Sequence, residues 1–173
     1  GTQRDLSHLV DFLPSYLFPN GERIILQGGV AGISLGGHTT WLALAHAESR
    51  ITFWAVILGC TDYLALTSRR AGIELALSTL PPPLVSLVHR MDPVQRTLGI
   101  RSWVCKKILV LRSVTDRLVP WSASALFVRR LEVGEGGFKK IIAQEEDIGH
   151  KCTEEMSKWM AELLGYERYP RSS

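Results

Sequence analysis

The sequence predicts an α/β domain of three layers, with helices on both faces of a mainly parallel sheet, and two observations carry that expectation. Four short apolar runs, residues 30–33, 51–58, 108–111 and 138–143, lack the clean polar–apolar alternation of a strand with one wet face. Strands covered on both sides read this way. Helix-like sequence follows each run, and strand alternating with helix is the order that builds a parallel sheet.

The chain has 173 residues, 46% hydrophobic and 21% charged, which is enough for one domain that buries about 70% of its unfolded surface. Its net charge of +3 is not clustered, so neither a nucleic-acid footprint nor a membrane-binding one is expected. Lys106, Lys107, Lys139 and Lys140 sit at the starts of strand-like runs and read as solvated strand entries. Cys60, Cys105 and Cys152 are odd in number and widely separated, with no metal-ligand spacing. Buried free thiols are expected rather than a zinc site or a disulfide framework. There is no run of 18 apolar residues and no basic-then-apolar leader, so neither a transmembrane helix nor a signal peptide is expected and a cytoplasmic location is favoured. The chain does begin at Gly1 rather than at methionine.

Taken in order, Leu6, Leu9, Val10, Leu13 and Leu17 recur on one helix face, which Pro14, Pro19 and the Asn20-Gly21 pair bring to a stop. Ile24, Ile25 and Leu26 begin an extended run towards the strand at 30–33, with Gly28 and Gly29 interrupting it. Residues 35–46 are apolar nearly all round, as a central helix buried on several sides would be. His38 and His46, on or beside that helix, lack partners at ligand spacing and read as core or surface histidines. Residues 61–106 hold Pro81-Pro82-Pro83 and a helical-looking stretch at 73–77. So long a connection is expected to fold as a cap-like insertion, its leucines and valines forming either a pocket wall or a helix packed on the sheet. The last helix has Thr153 as its N-cap and Glu154 and Glu155 at its positive end. Met156, Trp159, Met160, Leu163 and Leu164 form its buried stripe, and residues 168–173 read as a frayed tail.

The run at 30–33 breaks into Gly32-Ile33-Ser34-Leu35-Gly36 and then into a helix. Gly-x-Ser-x-Gly in that setting is the pattern of a nucleophile elbow, a sharp turn that thrusts a serine hydroxyl to where a histidine can take its proton. Gly32 and Gly36 stand where side chains would collide as strand and helix draw together. Ser34 is expected at positive φ, a strain of about 1–3 kcal/mol. Open α/β sheets gather their sites at the carboxyl ends of the strands. Asp116 follows the third run and His150 the fourth, so Ser34, Asp116 and His150 come in the chain order that goes with this elbow. Taken singly, Asp116 reads better as a turn cap and His150 as a loop histidine, and it is their joint order after three strands that favours the triad. Asp62, just past the second run, is the alternative acid. A nucleotide site at 28–37 is disfavoured, because the stretch has neither Gly-x-Gly-x-x-Gly nor a phosphate-loop lysine.

With these residues in view, the chain resembles the C-terminal part of an α/β-hydrolase. Leu13-Pro-Ser-Tyr-Leu-Phe-Pro19, Gly32-Ile-Ser-Leu-Gly-Gly-His38 and Gly59-Cys-Thr-Asp-Tyr63 are similar to segments of uncharacterised fungal serine hydrolases of that superfamily. The resemblance implies a partial α/β-hydrolase fold over residues 1–173, with Ser34 as nucleophile, His150 as base and later acid, and Asp116 as the carboxylate that fixes the imidazole. Leu35 would give a backbone N–H to the oxyanion hole. It also implies a small carboxylic ester or related acyl substrate, an acyl-enzyme intermediate, and no metal or organic cofactor. The departure lies upstream. Only one helix precedes Val30, so the earlier strands and the loop bearing a second oxyanion donor are missing, a loss worth about 10²–10³ in rate. A shortened hydrolase of impaired activity is therefore expected, with a hydrolase-like binding module as the alternative. The strand at 30–33 would also lose a neighbour, and its open edge invites self-association into species larger than a monomer.

Overall fold

Four strands, β1 (Gly28–Ile33), β2 (Ile51–Ile57), β3 (Lys107–Ser113) and β4 (Phe138–Gln144), form one sheet in that order, every neighbouring pair parallel. The structure is a computed structural model that describes residues 2–45, 50–72, 77–95, 105–144 and 146–165. Helix α1 (Thr2–Leu17) precedes β1, and α2 (Leu35–Ala45) joins β1 to β2. Helices α3 (Tyr63–Ala71) and α4 (Pro82–Met91) lie between β2 and β3, α5 (Ala125–Arg130) lies between β3 and β4, and α6 (Glu154–Leu164) closes the order.

The three layers follow from the two-residue period of the strands, which sends successive side chains to opposite faces. Trp54, Val56, Ile108 and Val110 form one face and pack with Trp41 and Leu44 of α2 and Phe127 and Val128 of α5. Trp41 and Phe127 meet edge to face, their ring centroids 5.6 Å apart. On the other face Ile57, Leu109 and Leu111 meet Met156, flanked by Trp159, Met160 and Leu163 of α6. Thr153 caps α6 by accepting from the Met156 N–H. Leu164, expected in that stripe, is instead 41% exposed, because it lies at the last turn.

Helix α1 ends at Leu17, within the stretch from Pro14 to Pro19 where its stop is expected, and Pro14 lies inside it. Proline has no N–H for the Val10 carbonyl, and Arg50 supplies one, its Nη1 donating to that oxygen at 3.3 Å while its Nη2 pairs with Asp11 at 2.7 Å. Several expectations are corrected. Of the apolar stripe on α1 only Leu6 and Val10 reach the core. Leu9, Leu13 and Leu17 are exposed, since β1 is the edge of the described sheet and nothing described lies beyond it for the rest of the stripe to cover. Gly28 and Gly29 belong to β1, absorbed by a register shift against β2, whereas Ile24 and Leu26 are outside any strand and exposed.

The lysines also depart from expectation. Lys106 is buried, its ammonium donating to the Ile51 carbonyl and lying 5.8 Å from the centre of the Trp54 ring. Lys139 donates to the Val128, Arg129 and Leu131 carbonyls, filling the acceptors that the end of α5 leaves open. Burial lowers its pKa. Lys107 lies over Phe53 and Lys140 is exposed. Of the thiols only Cys60 is buried, and all three cysteines are free. Residues 73–76, His46 and residues 168–173 lie outside the described residues, and Leu77 opens a single tight turn, Leu77–Thr79. Among the described residues no helix is long and apolar enough to cross a membrane.

Asp92 fastens α4 to α3. It is the C-cap of α4, 3% exposed, and its Oδ2 accepts the Tyr63 N–H at 2.9 Å while its Oδ1 has no partner among the described residues. Burial, with the charge of Asp62 adding to it, pushes this carboxyl up to about 7. The folded chain therefore holds a proton that the unfolded chain releases near pH 4. Its contribution to stability is full below that value and is lost as pH rises to about 7. Thermal unfolding of the wild type should lose stability between pH 4 and pH 7 relative to Asp92→Asn, and parallel profiles for the two proteins would assign the dependence elsewhere.

Candidate active site

The strand-to-helix turn after β1 places Ser34 at φ 56°, in the left-handed region. A non-glycine residue there costs about 1–3 kcal/mol unless its surroundings fix it. Two backbone bonds do so: the Ser34 N–H donates to the Ile57 carbonyl at 2.8 Å, and the Ser34 carbonyl accepts the His38 N–H at 2.9 Å. The turn can be this tight because Gly32 has no side chain. A Cβ there would stand 2.1 Å from the Gly36 carbonyl oxygen and 2.5 Å from Thr40 Oγ1. Gly36 does not share that role, since a Cβ on it would meet nothing within 4 Å. The reason is directional: the carbonyl of Gly36 points at Gly32, but its Cβ position points away.

The second close approach falls one residue later. A Cβ on Gly37 would stand 2.9 Å from Gly59 Cα and from the Ile57 carbonyl, and one on Gly59 would stand 2.6 Å from the Gly37 carbonyl carbon. This contact seats α2 on the loop after β2, and it is a requirement the pentapeptide pattern does not reveal. The only signal in the sequence was the doubling of glycine at 36 and 37.

At the ends of β3 and β4 the chain brings two further groups to Ser34. Asp116 Oδ1 accepts the Leu118 and Val119 N–H groups, each at 2.9 Å, which fixes the carboxyl plane. Its Oδ2 lies 2.7 Å from His150 Nδ1, and His150 Nε2 lies 2.8 Å from Ser34 Oγ. The Asp116 side chain is 1% exposed and that of His150 20%, so the carboxyl is sealed from water while the imidazole can be reached. Thr115 ties the two loops together: its hydroxyl accepts the Gly149 N–H at 3.0 Å, and its own N–H donates to Ser113 Oγ at 3.2 Å. No motif in the sequence sets Thr115 apart.

A carboxylate only accepts, so Nδ1 carries the proton, Nε2 presents a lone pair, and the Ser34 hydroxyl donates to it. Leu35 opens α2, where the first N–H groups have no intrahelical partner and the helix dipole is positive.

Asp62 is not part of this chain of bonds. Its Oδ1 accepts the Ala65 N–H at 2.8 Å and so caps α3, and Asp116 occupies the one ring nitrogen left for an acid. His38 donates from Nδ1 to the Cys60 carbonyl at 2.8 Å. Burial and the nearby Asp92 charge push the Cys60 thiol up to about 12, which makes it unreactive. Among the described residues no group of histidine, cysteine and acidic side chains is arranged to hold a metal ion.

The parallel sheet, the elbow after β1 and the loops after β3 and β4 define a partial α/β-hydrolase fold. No family model and no curated protein sequence matches the chain. Among solved structures, an acylaminoacyl peptidase in complex with a Z-Gly-Gly-Phe-chloromethyl ketone superposes with a TM-score of 0.63 at 16% identity, over 96% of this chain and 28% of its own. The esterase Pf2001 of Pyrococcus furiosus gives 0.58 at 19% identity, over 94% of this chain and 60% of its own. A 2,6-dihydroxy-pseudo-oxynicotine hydrolase gives 0.56 at 22% identity, over 95% and 47%. The chain thus spans between about a quarter and three fifths of the length of these structures.

The glycine geometry separates two substitutions that the sequence pattern treats alike. Gly32→Ala should lower stability by about 1–3 kcal/mol or more, since backbone atoms must move to admit the methyl group. Gly36→Ala, in the first turn of α2, should be neutral or stabilise by up to about 1 kcal/mol. Urea unfolding of both variants checks this, and equal losses would contradict it.

Proposed function

We propose that the chain is a serine hydrolase acting on a carboxylic ester or related acyl compound through an acyl-enzyme. The observation that carries the reading is the unbroken path from Ser34 Oγ through the His150 ring to Asp116, with bonds of 2.8 and 2.7 Å. Ser34 Oγ attacks the acyl carbonyl carbon as its proton passes to His150 Nε2. The carbonyl oxygen takes up the electron pair, stabilised by the Leu35 N–H and the positive end of α2. The tetrahedral species then collapses, the alcohol departs with the proton from Nε2, and a water activated by the same nitrogen frees the acid and restores the Ser34 hydroxyl. Asp116 keeps the proton on Nδ1 and balances the transient charge of the imidazolium, remaining ionised throughout.

Further support comes from the structures of similar fold, among them an esterase and a peptidase. We assign residues 61–106 the part of a cap beside the site, because Arg69 of α3 lines the same cleft as His150.

A fluorophosphonate probe followed by peptide mass spectrometry tests the reading. Adduct should form on the peptide containing Ser34, be absent in Ser34→Ala, and fall by about 10⁴-fold in rate in Asp116→Asn, where the wrong imidazole tautomer is held. Folded protein that resists the probe, or adduct on another serine, would contradict it and leave a module that binds without turnover.

A further inference from the structure

A cleft of about 990 Å³ opens beside the imidazole, walled by residues 114–118 and 120–122 after β3, by Asp147, Gly149 and His150 after β4, and by Arg69 from the last turn of α3. Ser34 does not line it. His150 does, and its Nε2 is 2.8 Å from Ser34 Oγ, so the cleft approaches the reacting centre from the side of the imidazole. Two kinds of surface face this space. Leu118, Pro120 and Trp121 give it an apolar lining with an aromatic ring among them, and Arg69 and Arg117 supply positive charge.

Neither guanidinium forms an ion pair with a carboxylate among the described residues. Among the described residues Arg69 donates to the Ser122 hydroxyl alone, at 3.4 Å. Two further cations stand behind the wall: Arg70 donates to the Leu118 carbonyl at 3.0 Å, and the Arg112 guanidinium lies 5.1 Å from the centre of the Trp121 ring. The opposing carboxylates that line the cleft are Asp116 and Asp147, and Asp116 is already committed to the imidazole and two backbone N–H groups. The lining thus holds two guanidiniums and two carboxylates, but Asp116 is turned to the imidazole and Asp147 pairs with neither arginine, which leaves both planar forks open to an incoming carboxylate.

In acyl transfer the imidazole delivers its proton to the departing alcohol, so the alcohol half of the substrate has to stand beside Nε2. Resting on the assignment of Ser34 and His150 proposed above, the geometry points to an ester whose alcohol half is a ring bearing a carboxylate, the ring against Trp121 and the carboxylate on Arg69 and Arg117.

Matched esters test this. Hydrolysis of meta-acetoxybenzoate is compared with that of its methyl ester, each rate divided by the hydroxide-catalysed rate of the same compound. Phenyl hemisuccinate and phenyl butyrate form a second pair that puts the charge on the acyl half instead. The first pair should differ by about tenfold or more in kcat/KM in favour of the anion, and the second should show no such preference. The first ratio should collapse towards one in Arg69→Gln/Arg117→Gln and be partly kept in Arg69→Lys/Arg117→Lys. A ratio that survives the glutamine changes, or a preference only for the hemisuccinate, would overturn the assignment. Calorimetric binding of meta-hydroxybenzoate and its methyl ester to Ser34→Ala separates this site from turnover. Equal binding of the two would overturn the arginine site whatever the hydrolysis results. Selective binding of the anion, lost with the arginines, would uphold the site even if no ester were cleaved, and the absence of cleavage would then count against the reading of Ser34 alone.

Discussion

The top of the sheet depends on one close approach, that of the Gly36 carbonyl to the bare Cα of Gly32. It lets α2 begin immediately after β1 and forces Ser34 into the left-handed region at φ 56°. A hydroxyl on an ordinary helix or strand residue would lie along the wall of its element, with neighbours on either side. At this turn it projects beyond the end of β1, on the same rim of the sheet as the loops after β3 and β4. The strain is held in place by the Gly37–Gly59 contact and by the hydrogen bond from the Ser34 N–H to the Ile57 carbonyl.

Given that projection, the remaining geometry is set by the parallel sheet. Because neighbouring strands run the same way, the loops after β3 and β4 emerge on one side, and Thr115 fastens them together through the Gly149 N–H. The carboxyl of Asp116 is held from one side by two backbone N–H groups and from the other by the imidazole. The ring is thereby presented to Ser34 in a single orientation, with its lone pair forward. The groups that would do the chemistry thus rest on strand ends and loop anchors, which hold position more firmly than free loops do.

The fold was legible because buried parallel strands and the helices between them leave a coarse signal, and residues 51–58 and 108–111 show it plainly. The spatial grouping of Ser34, Asp116 and His150 could be anticipated from chain order, since each follows a strand of the same sheet. What was not legible depended on direction and distance. Gly32 and Gly36 look equivalent in a pattern, yet only one of them has a neighbour where its Cβ would be. Lys106 and Lys139 look like solvated charges, yet their stems carry the ammonium groups to backbone carbonyls that a linear reading does not place nearby. Pro14 lies inside α1, and no linear reading shows that Arg50, thirty-six residues on, supplies the donor to the Val10 carbonyl. The apolar stripe of α1 predicted burial, but a stripe reports only that a face is apolar, and with β1 at the edge of the described sheet three of its five residues are exposed.

The central claim is that Asp116 holds a proton on Nδ1 of His150 and so turns a lone pair on Nε2 toward Ser34. Nitrogen-15 NMR of histidine-labelled protein tests it most directly, with His150 identified by its loss in His150→Gln. The account predicts that the neutral ring is the Nδ1–H tautomer, with a strongly downfield proton that disappears in Asp116→Ala. A neutral ring protonated on Nε2, or one indifferent to the loss of Asp116, would contradict it.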